Sequence, residues 1–286
     1  MKRLIVSADD FGFTEGVNQA ILECYKKGSV SNASLAVNMD ATENAILLAK
    51  QNPGLGVGLH FNLTLGKPLT DPKLIPSLVN CNGLFYNRKE FENRSIFGLI
   101  RYKDVEKELL AQIKYYLNFN LTMTHIDSHQ HIHLLPPLFT VISNYCIQNS
   151  IPLRIPYNNY ILNIQIPQLK DLTKLLRRSL LTLLIYFNRS QIFNKCLISN
   201  DHFYCIADFI PHQKLINIEH YIKIIDSLKS GVSELMTHPA IADDNLRKLN
   251  RISEISQQEY NVLSSFSLKS ECQKRGVEFI SYGNLS

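Results

Sequence analysis

Within its first sixty-three residues the chain alternates three short apolar runs with two amphipathic stretches, and that alternation leaves few folds open. The runs cover about 3–9, 33–38 and 56–63. Between the first two, Val17, Ala20, Ile21, Cys24 and Tyr25 repeat at helical spacing, with Thr14 placed to cap the helix and Gly28 to stop it. Between the second and third, Asp40-Ala41-Thr42-Glu43 reads as a capping box, and Pro53-Gly54 closes the helix it opens. A β-α-β-α-β series this tight predicts parallel strands joined by right-handed crossovers.

The alternation continues. A helix is expected over about 104–118, a strand over 121–127, a helix from Pro136-Pro137 to about 149, and short strands over 151–156 and 202–207. A helix over about 219–229 then leads to an apolar run ending at Thr237-His238-Pro239, a further helix opens near Ser256, and a last strand covers 277–282. Seven or eight such units predict an α/β chain folded as a closed or nearly closed (β/α) barrel. One domain is expected over 1–286, with excursions at about 64–103 and 157–200. Within the second excursion, 169–187 reads as an amphipathic helix with Lys170, Lys174, Arg177 and Arg178 opposite its leucines. It is expected either to cover the barrel or to touch a membrane or lipid-linked substrate.

In barrels of this kind, chemistry gathers at the carboxyl ends of the strands. Here Asp9 and Asp10 end the first run, Asn38 the second, His60 lies in the third, and His238 ends a late one. His125, Asp127, His129, His131 and His133 cluster where the fourth strand turns into a loop, and Arg154 lies in the fifth. Adjacent side chains point to opposite sides of an extended backbone, so Asp9 and Asp10 face one ion together only if a turn begins between them. One of the two then binds metal while the other takes a proton. His60 alone also reads as a hydrogen-bonded core residue. With the histidine cluster it points to a metal site, and imidazoles with a carboxylate suit zinc, nickel, cobalt or manganese better than calcium. His125, on the strand, is the best-placed ligand of the cluster, with Asp127, His129 or His131 orienting an imidazole or contacting substrate. His238 at the mouth suits general acid work.

The net charge of +5 is spread along the chain, and no basic run alternates with aromatics, which argues against nucleic acid. Six cysteines stand singly without a C-x-x-C pair, as buried thiols of a reducing compartment do. Leu4-Ile5-Val6 is too short an apolar run, too soon acidic, for a signal peptide, so a cytoplasmic location is expected. There is no G-x-S-x-G elbow, no P-loop and no G-x-G-x-x-G.

Taken together, the Ala8-Asp9-Asp10-Phe11-Gly12 turn, the GLHFNLTLGKPL stretch, the THIDSHQHIH cluster and the late THP resemble the YdjC-type carbohydrate deacetylases. That family includes chito-oligosaccharide and hopanoid-associated deacetylases. The resemblance runs from residue 3 to about 240 and is weakest over 157–200. It implies a distorted (β/α) barrel related to polysaccharide deacetylases. It also implies one divalent metal ion, magnesium or zinc foremost, with manganese, cobalt or nickel as alternatives. Carried over, Asp10, His60 and His125 become the metal ligands, Asp9 the general base and His238 the general acid. Asn38, Asp127, His129, His131 and Arg154 are read, from their own positions at the strand ends, as substrate-binding or orienting groups. The implied reaction removes an N-acetyl group from an amino sugar, soluble or lipid-linked. The rival readings are another metal-dependent phosphoesterase or amidohydrolase, and a sugar-binding protein without activity. A homodimer is compatible with either.

Overall fold

The structure, a computed structural model, describes residues 1–156, 172–192, 196–206, 215–249 and 252–285. The strands are β1 (Lys2–Phe11), β2 (Asn32–Leu35), β3 (Gly56–Phe61), β4 (Met123–Ser128), β5 (His202–Cys205), β6 (Gly231–Thr237) and β7 (Val277–Ile280). The helices preceding β4 are α1 (Glu15–Lys27), α2 (Thr42–Gln51), α3 (Arg88–Ile96) and α4 (Tyr102–Leu117). Those that follow are α5 (Leu138–Asn149), α6 (Leu172–Phe187), α7 (Arg189–Ile192), α8 (Ile218–Ser227), α9 (Asp244–Leu249), α10 (Ser253–Leu263) and α11 (Leu268–Lys274).

The seven strands form one sheet in the order β4-β3-β2-β1-β6-β5, every pairing parallel. The long β1 carries two partners along one edge: β7 against Lys2–Ile5, then β2 from Ser7 onward, while β6 runs along the other edge. The sheet is not a closed barrel. Single-residue bridges through Leu153 join Ile126 on β4 to Ser199, three residues before β5, and span the gap between the two edges. The strand expected over 151–156 shrinks to that bridge, because Pro152 and Pro156 have no N–H to give a ladder.

Several local signals act as expected. Thr14 Oγ1 accepts the Val17 N–H at 3.2 Å, and Gly28 ends α1 in the left-handed conformation at φ 82°. The capping box expected at Asp40–Glu43 does not form. Thr42 Oγ1 donates instead to the Ala36 and Met39 carbonyls, folding the turn after β2 back on itself. The excursion at 64–103 is pinned by two buried acceptors on α4. Glu108 takes the Leu69 and Thr70 N–H groups at 3.0 and 2.9 Å, and Asp104 takes that of Ser77 at 3.0 Å. Of the helix expected over 169–187, α6 is present, and 169–171 lie outside the described residues.

Alternation along β1 sorts the core. Leu4, Val6 and Ala8 join the large cluster under the helices, whereas Ile5 packs with Val232, Ile280 and Tyr282 inside the sheet. Ser7 and Asp9 continue that inner face upward. The inside of the curved sheet is therefore apolar at its base and polar toward the strand carboxyl ends.

Candidate metal centre and active site

The two acids of the first turn part company at a bulge. Between Ala8↔Ala33 and Phe11↔Leu35, β1 uses three steps where β2 uses two, and Asp10 adopts φ 67°. That left-handed residue puts a turn at the second acid of the pair. It aims Asp9 inward and Asp10 toward β3 and the loop after β4.

Asp9 is clamped. The Arg154 guanidinium donates to both of its oxygens at 2.7 Å each. The same guanidinium lies 2.6 Å from Asp127 Oδ2 and donates through Nε to Glu234 Oε1 at 2.8 Å. Arg154 is fully buried, so one cation offsets three buried carboxylates. Burial would depress its pKa, but those carboxylates outweigh that and hold it above the usual arginine range. Burial pushes the Glu234 carboxyl up, against the pull of Arg154, and the Tyr282 hydroxyl donates to its other oxygen at 2.6 Å. The His238 Nε2 stands 4.0 Å from Asp9 Oδ2 on the outer side, its side chain 20% exposed. Its backbone N–H donates to Glu259 Oε2 at 2.7 Å.

Asp10 faces a different set. Its Oδ1 lies 3.5 Å from His60 Nε2 and 3.2 Å from His129 Nδ1. Both Asp10 Oδ1 and His60 Nε2 are buried and lack an aligned hydrogen-bond partner. Orphaned buried acceptors are costly and therefore rare. Burial would raise the Asp10 pKa; the His129 and His60 imidazoles beside it outweigh that and hold it well below the usual carboxylate range. Burial would lower His60, but the negative charge of Asp127, with Asp10, lifts it to about 10. His60 Nδ1 meets Asp127 Oδ1 at 2.7 Å, which directs Nε2 toward Asp10.

Asp10, His60 and His129 can therefore bring one ligand atom each to a common point, all within 4.8 Å of one another. A carboxylate with two imidazoles is a donor set for a divalent transition-type cation, and the two partnerless atoms fit such an ion. A second grouping, Asp9 with His60 and Asp127, is also close enough. Its two carboxylates already neutralise Arg154, so a cation there would compete with a guanidinium.

The structure does not bring His125 to this group. Its ring is fully buried, stacked on Tyr282 at 4.3 Å, with its nitrogens 3.1 Å from Ser34 Oγ and 3.0 Å from Thr124 Oγ1. Burial lowers its pKa to about 3, so the ring is neutral. The reason is depth. His125, Asp127 and His129 share one face of the chain, and two residues of strand cover about 6.6 Å. Asp127 pairs in register with His60, so His125 sits one pleat below the mouth and His129 reaches it. The candidate donor set therefore contains His129 at the place where the sequence reading expected His125.

The remaining expected residues divide. Asn38 turns away, donating to the Leu65 and Lys67 carbonyls and accepting from Asn62 at 3.1 Å, so it braces the loop after β3. Gln130 and His131 are both left-handed, at φ 60° and 59°, which swings His131 edge-on against Phe203 at 5.5 Å. Burial holds the His131 pKa well below its ordinary value. His133 bridges Ser128 Oγ and the Arg154 carbonyl at 2.6 and 3.0 Å. Ser34, Glu234, Tyr282 and Glu259 were not anticipated. An acid in the middle of the apolar run Val232–Met236 was the one available signal for Glu234.

A family model described as YdjC-like protein matches residues 3–274. The chain belongs to the YdjC-like family. It is 35% identical to a carbohydrate deacetylase of Geobacillus stearothermophilus over 279 residues, covering 97% of this chain and 96% of that protein. It is 30% identical to a chitooligosaccharide deacetylase of Proteus mirabilis, covering 99% and 98%. A crystal structure from Enterococcus faecalis superposes with a TM-score of 0.78 at 25% identity, covering 100% of this chain and 99% of that one. Within this YdjC-like chain the quoted sequence motifs all end at one place, the rim shared by Asp9, Asp10, His60, His129 and His238.

Proposed function

We propose that the protein is a divalent-metal-dependent N-deacetylase that releases acetate from an N-acetylated amino sugar. The observation that carries this reading is the adjacency of two units. Asp10, His60 and His129 form a donor set with two unpartnered atoms, and Asp9 and His238, 4.0 Å apart, lie beside it. The names of the relatives, carbohydrate and chitooligosaccharide deacetylase, supply the substrate class.

In this reading Asp10, His60 and His129 hold the ion. When bound it would polarise the acetamide carbonyl and make a nearby water more acidic. Asp9 accepts the proton of the attacking water. Arg154 fixes the plane of that carboxylate by gripping both oxygens, so it meets the water in one orientation. His238 on the exposed side protonates the departing amine, completing acetate and a free amino sugar. Asp127 keeps the His60 proton on Nδ1 and leaves Nε2 as the donor atom.

The test is acetate release from a panel of N-acetylated sugars, soluble and lipid-linked, before and after chelation and with metal restored. Loss on chelation and recovery with one of zinc, magnesium, manganese, cobalt or nickel is expected. Phosphate release from phosphate esters without acetate release would overturn it.

A further inference from the structure

One stretch of surface is not explained by folding or by the site. Ile96, Phe97 and Leu99 stand exposed in succession at the end of α3, Phe97 at 76%. The turn that displays them is rigid. Phe97, Gly98 and Leu99 donate to the carbonyls of Asn93, Ser95 and Arg94, and Gly98 takes φ 68°. Three large apolar side chains are held outward by one closed turn, more than an isolated exposed leucine presents.

A second apolar edge adjoins the first. Ser95 donates to the Pro136 carbonyl, and Asn188, just past α6, donates to the Leu134 carbonyl at 3.0 Å. The ends of α3 and α6 are thus anchored two residues apart on one segment. Phe187 at the end of α6 is 68% exposed. On the other flank, a groove of about 450 Å³ at the start of α4 is lined by Lys73, Arg101, Lys103 and Lys107, with Leu74 and Tyr102 between them. Asp104 lies beneath, turned inward to Ser77.

This surface lies at the catalytic end. Helix α4 feeds a parallel strand, β4, so it begins at the carboxyl end of the sheet. The segment Leu134–Pro137 directly follows the turn that carries His129.

We propose that this face docks the protein on an anionic membrane surface, with Phe97 and Leu99 entering the interface and Lys73, Arg101, Lys103 and Lys107 meeting acidic headgroups. Apolar tips beside a cluster of cations form the pattern of interfacial binders. Among the described residues no helix is long and apolar enough to cross a membrane. The cations decide the occupant: an acidic lipid surface neutralises them, whereas a second copy of the same patch would bring like charges together. Docked this way, the mouth that holds Asp9 and His129 faces the bilayer. If the deacetylase reading holds, a membrane-borne N-acetylated sugar is the substrate class. The docking itself does not depend on that reading, because its readout is partitioning.

The experiment is sedimentation of the full chain with vesicles of phosphatidylcholine alone and with about a third phosphatidylglycerol. Partitioning is expected on the acidic vesicles only, with a loss of at least about tenfold for Phe97→Ser/Leu99→Ser and a comparable loss for Lys103→Glu/Lys107→Glu. Leu117→Ser, at the far end of α4 and about 22 Å away along its axis, is expected to change nothing. All positions are exposed, and circular dichroism melts check that each variant folds. Equal partitioning on both vesicle types, none on either, or binding that survives Phe97→Ser/Leu99→Ser would overturn the proposal. So would a dimer in light scattering that the same double variant dissolves.

Discussion

Arg154 and Asp9 are 145 residues apart in sequence and share two parallel hydrogen bonds of 2.7 Å at the heart of the site. The pair is one edge of a larger unit, since Asp127 and Glu234 lean on the same buried guanidinium. Removing the cation leaves Asp9 and Glu234 without their close counter-charge and Asp127 with His60 alone. Losing one partner of a buried pair typically costs about 3–5 kcal/mol. Arg154→Ala is therefore expected to lower unfolding free energy by at least that range, read by urea denaturation at pH 7. Arg154→Lys keeps the charge but loses the fork. It should recover part of the stability and little activity. A stable, active Arg154→Ala would mean that Asp9 needs no clamp.

Metal content distinguishes the two candidate histidines of β4 and its loop. Asp10→Asn, His60→Ala and His129→Ala should each lose bound metal. His125→Ala should keep it, since that ring's nitrogens meet Ser34 and Thr124 rather than Asp10. Its cost is stability instead, about 1–3 kcal/mol for the buried polar partners left behind. Gly58 explains why the ring fits, because a Cβ there would lie 2.3 Å from His125 Nδ1. Gly58→Ala should destabilise by about 1–3 kcal/mol through overpacking while leaving metal stoichiometry intact. Elemental analysis of the purified variants, paired with melting curves, reads both effects.

Glu259 sets a pH dependence of stability. Burial lifts its pKa from 4.5 to about 8, and the His238 N–H that it accepts opposes this only in part. The folded pKa exceeds the unfolded one, so the folded state binds the extra proton. Stability is then fully present below about pH 4.5 and is lost as pH rises through 8. The shift corresponds to roughly 5 kcal/mol at most. Glu259→Gln should remove this slope, matching the parent near pH 5 and exceeding it at pH 9 in urea melts. A slope unchanged by the substitution would assign the effect to another group.

The strands that carry chemistry were legible because each is an apolar run whose polar residues come at its end: Asp9-Asp10 on β1, His60 on β3, the cluster on β4, Thr237-His238 on β6. The third member of the candidate donor set was not, because period-two alternation puts His125, Asp127 and His129 on one face and says nothing about which lies level with Asp10. Depth comes from register, and only the pairing of His60 with Asp127 fixes it. His131 escaped for a local reason. Two consecutive left-handed residues, neither glycine, redirect the loop, and no residue type announces that. The Arg154 clamp and the Leu153 bridge depend on how the two sheet edges approach, which no short window of sequence encodes.

The division of labour between the adjacent acids gives the last expectation. In the proposed mechanism Asp9→Asn removes the charge that would accept a proton but retains one oxygen for Arg154, and both Asp9 oxygens already face that guanidinium rather than the Asp10 group. It should keep metal at the parent level and lose about 10²–10⁴ in kcat for acetate release, the usual contribution of a positioned base. His238→Gln should fall by a similar factor without metal loss, and less on a substrate whose leaving amine is already activated, because its proposed task is to protonate that nitrogen. Asp10→Asn should lose activity together with the metal, and excess metal should restore part of it. If Asp9→Asn loses metal and Asp10→Asn keeps it, the two roles are exchanged. The left-handed turn at Asp10 would then have to open to bring Asp9 outward.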